Sequence, residues 1–392
     1  MIKIEEIIIE YEGGNYEKAY VLFKKYRENT SERDNFDKFY SFKYIKTIYE
    51  AKIKHLENLD KEIQEDIIYI IKHLQPKDFY YKIVIFKIVD ILEKKITVDW
   101  NKILIWLKKL DVTYLSSQKN CFEVQGKKVE TFSELEKYFL KLTKAYEKIE
   151  DYENMYLMSK KALKSITEFT NNSDVWLNRR LAIYYAKKEN YQEAITLYKK
   201  ILLVKKDWFI YREIGKLYEK IGENKEAYLS YFEAFAKTND LSKISNLLYE
   251  ICTLLDSNED NLDIKRKFYI LYLKNKKNVN KEDEEKKIKL SINDNDIEEL
   301  DGEKYFRKLK REINEIKLSY QERKIGEVTT VNERFCFIKS EKDRYYCQIR
   351  EFPKKVVPVI GLKVEFSIIE SFDKKKNQLS YEAKDIKILG EK

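Results

Sequence analysis

The amino-acid sequence predicts a mainly α chain: a solenoid of helix pairs, followed at its C-terminal end by a small all-β barrel of five strands. Three observations predict it. Apolar residues recur at helical spacing through most of the chain. One helix-pair pattern occurs twice at a constant offset, Leu181-Ala182, Tyr185, Ala194 and Tyr198 against Ile214-Gly215, Tyr218, Ala227 and Tyr231. From Gly326 to Leu389, short β-type runs split by charged turns replace the helical period.

A chain of 392 residues with 43% hydrophobic content is long enough for two or three domains with sizeable cores. Three prolines, nine glycines and 37% charged residues suit a helical, charge-covered surface. The net charge of +9 permits an anionic partner without demanding one. Cys121, Cys252, Cys336 and Cys347 show no CxxC spacing, which predicts reduced thiols and a cytoplasmic location. The apolar run near Met1 is too short for a signal segment or a membrane span, so a soluble chain with no membrane partner is expected.

Taken in order, residues 1–132 read as degenerate helical repeats. Gly14-Asn15-Tyr16-Glu17-Lys18-Ala19 with Phe23 marks a turn and second helix. Phe39, Phe42, Ile45, Ile48 and Tyr49, then Ile67, Ile70, Ile71 and Leu74, keep helical spacing and are assigned to core. Between Cys121 and Phe132 the period breaks around Gln125-Gly126, as a short hairpin would require. Residues 133–273 hold the clear repeats. Asp174 and Asp207 stand where a helix N-cap is wanted. Ala182, Gly215, Ala194 and Ala227 are the short side chains that let antiparallel helices approach, with tyrosines filling the space beside them. Residues 274–323 are expected to be a charged linker with one helix. Lys274 to Lys287 has almost nothing apolar to offset its ordering entropy and is expected to be mobile. Phe306, Leu309, Ile313 and Ile316 then mark a lone amphipathic helix.

Residues 324–392 form the barrel, with strands predicted over Gly326–Val331, Arg334–Ser340, Asp343–Ile349, Gly361–Ile369 and Leu379–Leu389. Alternation puts Phe335 and Phe337 on one face and Cys336 and Ile338 on the other. In the next run Tyr346 and Gln348 share a face while Tyr345 and Cys347 point away. Aromatics ringed by Arg334, Lys339, Arg344 and Arg350 make a platform on which unpaired bases stack while cations hold phosphates. Cys336, Ile338, Cys347 and Val364 supply a separate apolar set, so a second buried face would be redundant.

Two families are resembled. The repeat at 174–240, continued more loosely through Leu142-Thr143, Tyr146, Asp151-Tyr152, Met155 and Ala162, resembles the tetratricopeptide repeat. The run Gly326-x-Val-x-x-x-Asn332, then Phe335-Cys-Phe-Ile338, Tyr345-Tyr-Cys-Gln348, Gly361-x-x-Val-x-Phe366 and Ala383, is similar to a cold-shock domain, an OB-type barrel. That resemblance implies binding of single-stranded RNA or DNA, with RNA favoured. It implies that Phe335, Phe337 and Tyr346 stack and that Gln348 stands at the family's histidine; on this reading Gln348 is expected to bond a base edge and Arg334, Arg350, Lys374, Lys375 and Lys376 to meet phosphates. Departures are present: Thr330 falls where the family has tryptophan, and Arg334 and Cys336 replace two glycines. Each missing ring is worth about 1–3 kcal/mol per base.

Arg179 and Arg212 occupy matching repeat positions, with Lys216 a turn further on. In the resembled repeat that face lines the concave groove, so these three are the candidate contacts for a protein partner. Only His55 and His73 are available for imidazole chemistry, both read as surface residues, and the chain has no GxGxxG, GxxxxGK[ST] or HExxH. The acidic runs Asp283-Glu284-Glu285 and Asp294-Asn-Asp296 are read as solvated charge. No catalytic residue, metal or cofactor is expected. The expectation is a non-catalytic adaptor joining nucleic acid to a protein partner. The alternatives are a pure protein-interaction scaffold and a subunit of a metal-dependent nucleic-acid-processing complex.

Overall fold

The computed structural model describes residues 3–29, 33–124, 126–256, 262–276, 278–320, 322–353, 356–373 and 378–389. Backbone contacts divide the chain into two compact units, Met1–Leu197 and Tyr198–Lys392.

In the first unit, α1 (Ile4–Glu12) and α2 (Tyr16–Asn29) meet at Gly14, whose φ of 76° is a conformation that suits glycine. Ala19 and Phe23 are fully buried, as the turn-and-helix reading requires. Helix α3 (Arg33–Ile48) ends in a π-turn and is followed by α4 (Lys61–His73), α5 (Phe79–Glu93) and α6 (Trp100–Leu107). The expected hairpin forms from β1 (Asn120–Val124) and β2 (Lys127–Thr131). Helices α7 (Glu134–Lys148), α8 (Tyr152–Ser165) and α9 (Asp174–Lys187) follow, and α10 (Tyr191–Val204) spans the boundary.

Three local expectations are corrected here. Phe39 and Phe42 are 67% and 59% exposed rather than core, because Phe36, Tyr44, Ile45 and Ile48 already fill the inner side of α3. His73 is half-buried, with Nδ1 2.8 Å from the Tyr69 carbonyl and Nε2 3.2 Å from Asp37, whereas His55 is exposed. Asp174 does not cap α9: the cap position is Ser173, whose hydroxyl instead donates to the buried Glu136 carboxylate.

The second unit carries α11 (Trp208–Lys220), α12 (Asn224–Lys237), α13 (Ser245–Asp256) and α14 (Leu262–Asn275). Asp207 stands at the α11 N-cap without a side-chain capping bond. Close approach of α11 and α12 rests on Gly215, where a Cβ would lie 2.7 Å from ring carbons of the fully buried Tyr231. The stretch expected to be a mobile linker contains α15 (Lys281–Lys289) and, after it, α16 (Asp294–Glu298). Order there comes from polar contacts together with the buried Leu290 and Ile292, which lie between the two helices. Asn280 and Asp283 form a capping box, and the buried Asp283 carboxylate also pairs with Lys276 and lies 3.3 Å from the Tyr269 hydroxyl. Helix α17 (Gly302–Tyr320) buries Phe306, Leu309 and Ile313 and packs on α12 and α14, with Phe306 5.1 Å from Phe235 ring to ring.

All five predicted strand runs form: β3 (Arg323–Val331), β4 (Phe335–Ser340), β5 (Asp343–Gln348), β6 (Lys363–Asp373) and β7 (Gln378–Ile388). They close a barrel in the order β3-β4-β5-β7-β6, with β6 pairing back onto β3 and β5 parallel to β7. This is the OB-type arrangement. Val328, Cys336, Ile338, Cys347, Val364, Phe366 and Ala383 are fully buried at its centre. Gly326 permits the close approach of β3 to its neighbour β4, since a Cβ there would lie 2.6 Å from the Lys339 carbonyl oxygen.

Candidate nucleic-acid interface

Register builds the site. Strands β4 and β5 pair Phe335 with Gln348, Phe337 with Tyr346 and Lys339 with Arg344, so these six residues share the outward face. The intervening pairs, Cys336 with Cys347 and Ile338 with Tyr345, point into the barrel and are buried. The Cys336 sulfur, and after it burial, push the Cys347 thiol far above the ordinary thiol range, so this side contributes packing.

Phe335, Phe337, Tyr346 and Gln348 are each half-buried. Ring centroids lie 5.7 Å apart for Phe335 and Phe337, 5.4 Å for Phe335 and Tyr346, and 6.1 Å for Phe337 and Tyr346. The three aromatics singled out from the sequence therefore form one contiguous patch, and Gln348 flanks it.

A bulge in β3 extends this face. Glu327 and Val328 pair with Lys339 and Ile338, but the register shifts before Thr330, which comes opposite Phe337. Val331 then turns inward to pack on the barrel core. The Thr330 hydroxyl accepts a hydrogen bond from Arg344, whose guanidinium carbon sits 4.4 Å above the Phe337 ring centre. Sequence reasoning counted Arg344 only as one cation of the rim. Thr330, which stands where the resembled domain has tryptophan, was the sequence position that pointed to this part of the face.

Among the cations, Arg334 is exposed and Arg350 is 77% exposed by side chain, 3.7 Å from Glu351. Lys374, Lys375 and Lys376 lie outside the described residues. On the β7 side, Glu382 pairs with Tyr346 in register, and its charge is met by Lys384 at 3.6 Å.

The helical candidates are placed differently. Arg179 pairs with Glu147 at 2.9 Å within the first unit. In the second, Arg212 donates from Nε and Nη2 to the two Glu250 carboxylate oxygens at 2.6 Å each, and Lys216 lies 2.8 Å from the same carboxylate. Carboxylates of the same chain thus pair with all three of these cations. Among the described residues no group of three or more His, Cys, Asp or Glu is placed to hold a metal ion, and no helix is long and apolar enough to cross a membrane.

No protein-family model and no curated protein matches this chain. Solved structures with a similar helical course include the Rap conjugation gene regulator of plasmid pLS20 in complex with the Phr* peptide, at 12% identity and a TM-score of 0.32, covering 80% of this chain and 96% of that one. A human IFIT1 dimer with m7Gppp-AAAA is similar at 13% identity and a TM-score of 0.27, covering 80% and 87%. The TPR domain of P58(IPK) is similar at 12% identity and a TM-score of 0.21, covering 81% and 92%. Scores this low identify neither a family nor a function.

Proposed function

We propose that this chain is a non-catalytic adaptor whose C-terminal, cold-shock-like barrel binds single-stranded RNA or DNA, RNA favoured, and whose helical pairs engage a protein partner in the cytoplasm. One observation carries the reading: Phe335, Phe337 and Tyr346 are left half-exposed on one face while a complete apolar core lies behind them. Large rings that the core does not need are available to flat partners.

The rows of the face also favour an unpaired strand. Successive outward rows are two residues apart along β4 and β5, about 7 Å, or twice the rise of about 3.4 Å between stacked bases. A nucleic acid following the rows must open its own stack and place each base on protein. Gln348 lies within this path and offers both a donor and an acceptor to a base edge. Arg334 and Arg350 supply phosphate contacts at its margin. On the helical side, an acidic partner using Arg212 and Lys216 has to displace Glu250, so the protein partner is expected to bind elsewhere on the helices.

Fluorescence anisotropy with labelled oligonucleotides of about ten nucleotides tests the barrel. Binding should weaken as salt rises, by about 0.7 log unit per log unit of salt for each phosphate neutralised. A Phe337→Ala and Tyr346→Ala double variant should lose at least tenfold in affinity. No binding at any salt would leave the barrel a protein-interaction module. Oligonucleotide cleavage that EDTA stops would point to a metal-dependent nuclease complex.

A further inference from the structure

Arg344 differs from Arg323 and Arg212 in how its charge is met. Arg323 is pinned to Asp385 at 2.6 Å, and Arg212 is held in a two-point fork by Glu250. Among the described residues no carboxylate pairs with Arg344, which is exposed and rests on the Phe337 ring and the Thr330 hydroxyl. The side chain is nonetheless held at two points, the Phe337 ring and the Thr330 hydroxyl. A rim cation that waits for a phosphate needs neither anchor.

The anchors exist because of the bulge. With an unbroken register Thr329 would face Phe337 and Thr330 would point toward the core; the extra residue reverses this and brings the Thr330 hydroxyl beside Phe337. Thr330 is too small to offer a plane of its own. The guanidinium is planar, weakly hydrated for a cation, and stacks on aromatic faces. Placed over Phe337 and tethered to Thr330, it continues the aromatic patch by one flat, charged surface.

Resting on the reading of the barrel as a single-strand binder, we propose that Arg344 is a base-stacking residue, a cationic shelf on which a further base of the strand lies, with Phe337 behind it and Thr330 as its positioning residue. A base on a guanidinium gains both stacking and cation–π attraction. The contact tolerates any base, because every base has a π-face, and it requires an unpaired one.

Charge and planarity can be separated by substitution, using the full-length chain and the same labelled oligonucleotides. Arg344→Lys keeps the charge and removes the plane. It should weaken binding about tenfold with the salt slope unchanged. Arg344→Gln should weaken binding at least as much and lower the slope by about 0.7. Thr330→Val should cost severalfold with the slope unchanged, and Thr330→Ser should restore it. All four changes are on the outward face, and unchanged thermal unfolding confirms an intact barrel. Full affinity in Arg344→Lys overturns the shelf and makes Arg344 a phosphate contact. Tighter binding in Arg344→Gln overturns it as well, because the guanidinium would then be covering Phe337. No binding by the unaltered protein overturns the reading of the barrel itself, a result separate from either.

Discussion

Gly215→Ala sets two effects of known sign against each other. Alanine is the better helix former by about 1 kcal/mol, so an exposed position on α11 would be stabilised by the change. At this position the new methyl would meet Tyr231 ring carbons at 2.7 Å, where ordinary contact begins at 3.4 Å. The ring has little room to retreat, because Tyr231 is fully buried and its hydroxyl donates to Glu219 at 2.8 Å. Overpacking of a pinned core ring falls near the upper end of the usual range, about 3 kcal/mol. The net expectation is a loss of about 2 kcal/mol, which for a unit of this size lowers Tm by about 4–8 °C. Thermal and urea unfolding should show the loss. Gly302→Ala is the matched control, since its nearest contact would be an ordinary 3.6 Å. In a Tyr231→Leu background the cost of Gly215→Ala should vanish, and the difference is the coupling between the two positions. A Gly215→Ala protein that melts higher than the unaltered chain would refute the packing role given to this glycine.

Two further predictions concern buried carboxylates of the first unit. Burial pushes the Asp66 carboxyl up to about 6 from an ordinary 3.8, although the Tyr20 hydroxyl donates to it at 2.8 Å. The folded state thus holds this proton more tightly than the unfolded one, and the associated stability, present below pH 4, is lost as pH rises to about 6. Relative to Asp66→Asn, which cannot titrate, the unaltered chain should lose about 2 kcal/mol across that window in unfolding experiments at stepped pH. A difference that stays flat with pH would contradict it. Glu136 is fully buried and accepts from the Thr170 amide at 2.8 Å, the Thr170 hydroxyl at 2.9 Å and the Ser173 hydroxyl. Glu136→Ala strands these donors and should cost about 3 kcal/mol, with faster amide exchange at Thr170. Retained protection there would show that the carboxylate does not hold the 170–173 turn.

The features legible in the sequence are those set by local periods. Alternation along Phe335-Cys-Phe-Ile separated the ring-bearing face from the core because side-chain direction in a strand follows from a single residue step. The need for a short residue at Gly215, with tyrosines beside it, was legible because the pattern occurs twice; that the ring against it is Tyr231 came from the structure. What escaped depends on partners far along the chain. Arg179 and Arg212 match in position, but their carboxylates, Glu147 and Glu250, come from outside their own helices, one upstream and one downstream. Asp283 reads as solvated charge until Lys276 and Tyr269 are brought to it.

Thr330 shows the same limit at the site itself, and shows why a missing residue type is an incomplete statement about a surface. Counting residues, a threonine where the resembled domain has a tryptophan leaves one ring fewer on the face. In the folded barrel the bulge turns Thr330 outward, and Arg344 reaches it across the strand between them to lie over Phe337. A planar, charged guanidinium from β5 thus lies beside Thr330 on β3, which offers no ring. If Arg344 stacks as proposed, this barrel should depend on salt more steeply than one with a neutral ring at the same place, because one of its stacking surfaces also neutralises a phosphate. Replacing Thr330 by Trp together with Arg344 by Gln would then restore affinity at high salt but not the steeper slope, and recovery of both would show that the guanidinium contributes no charge to binding.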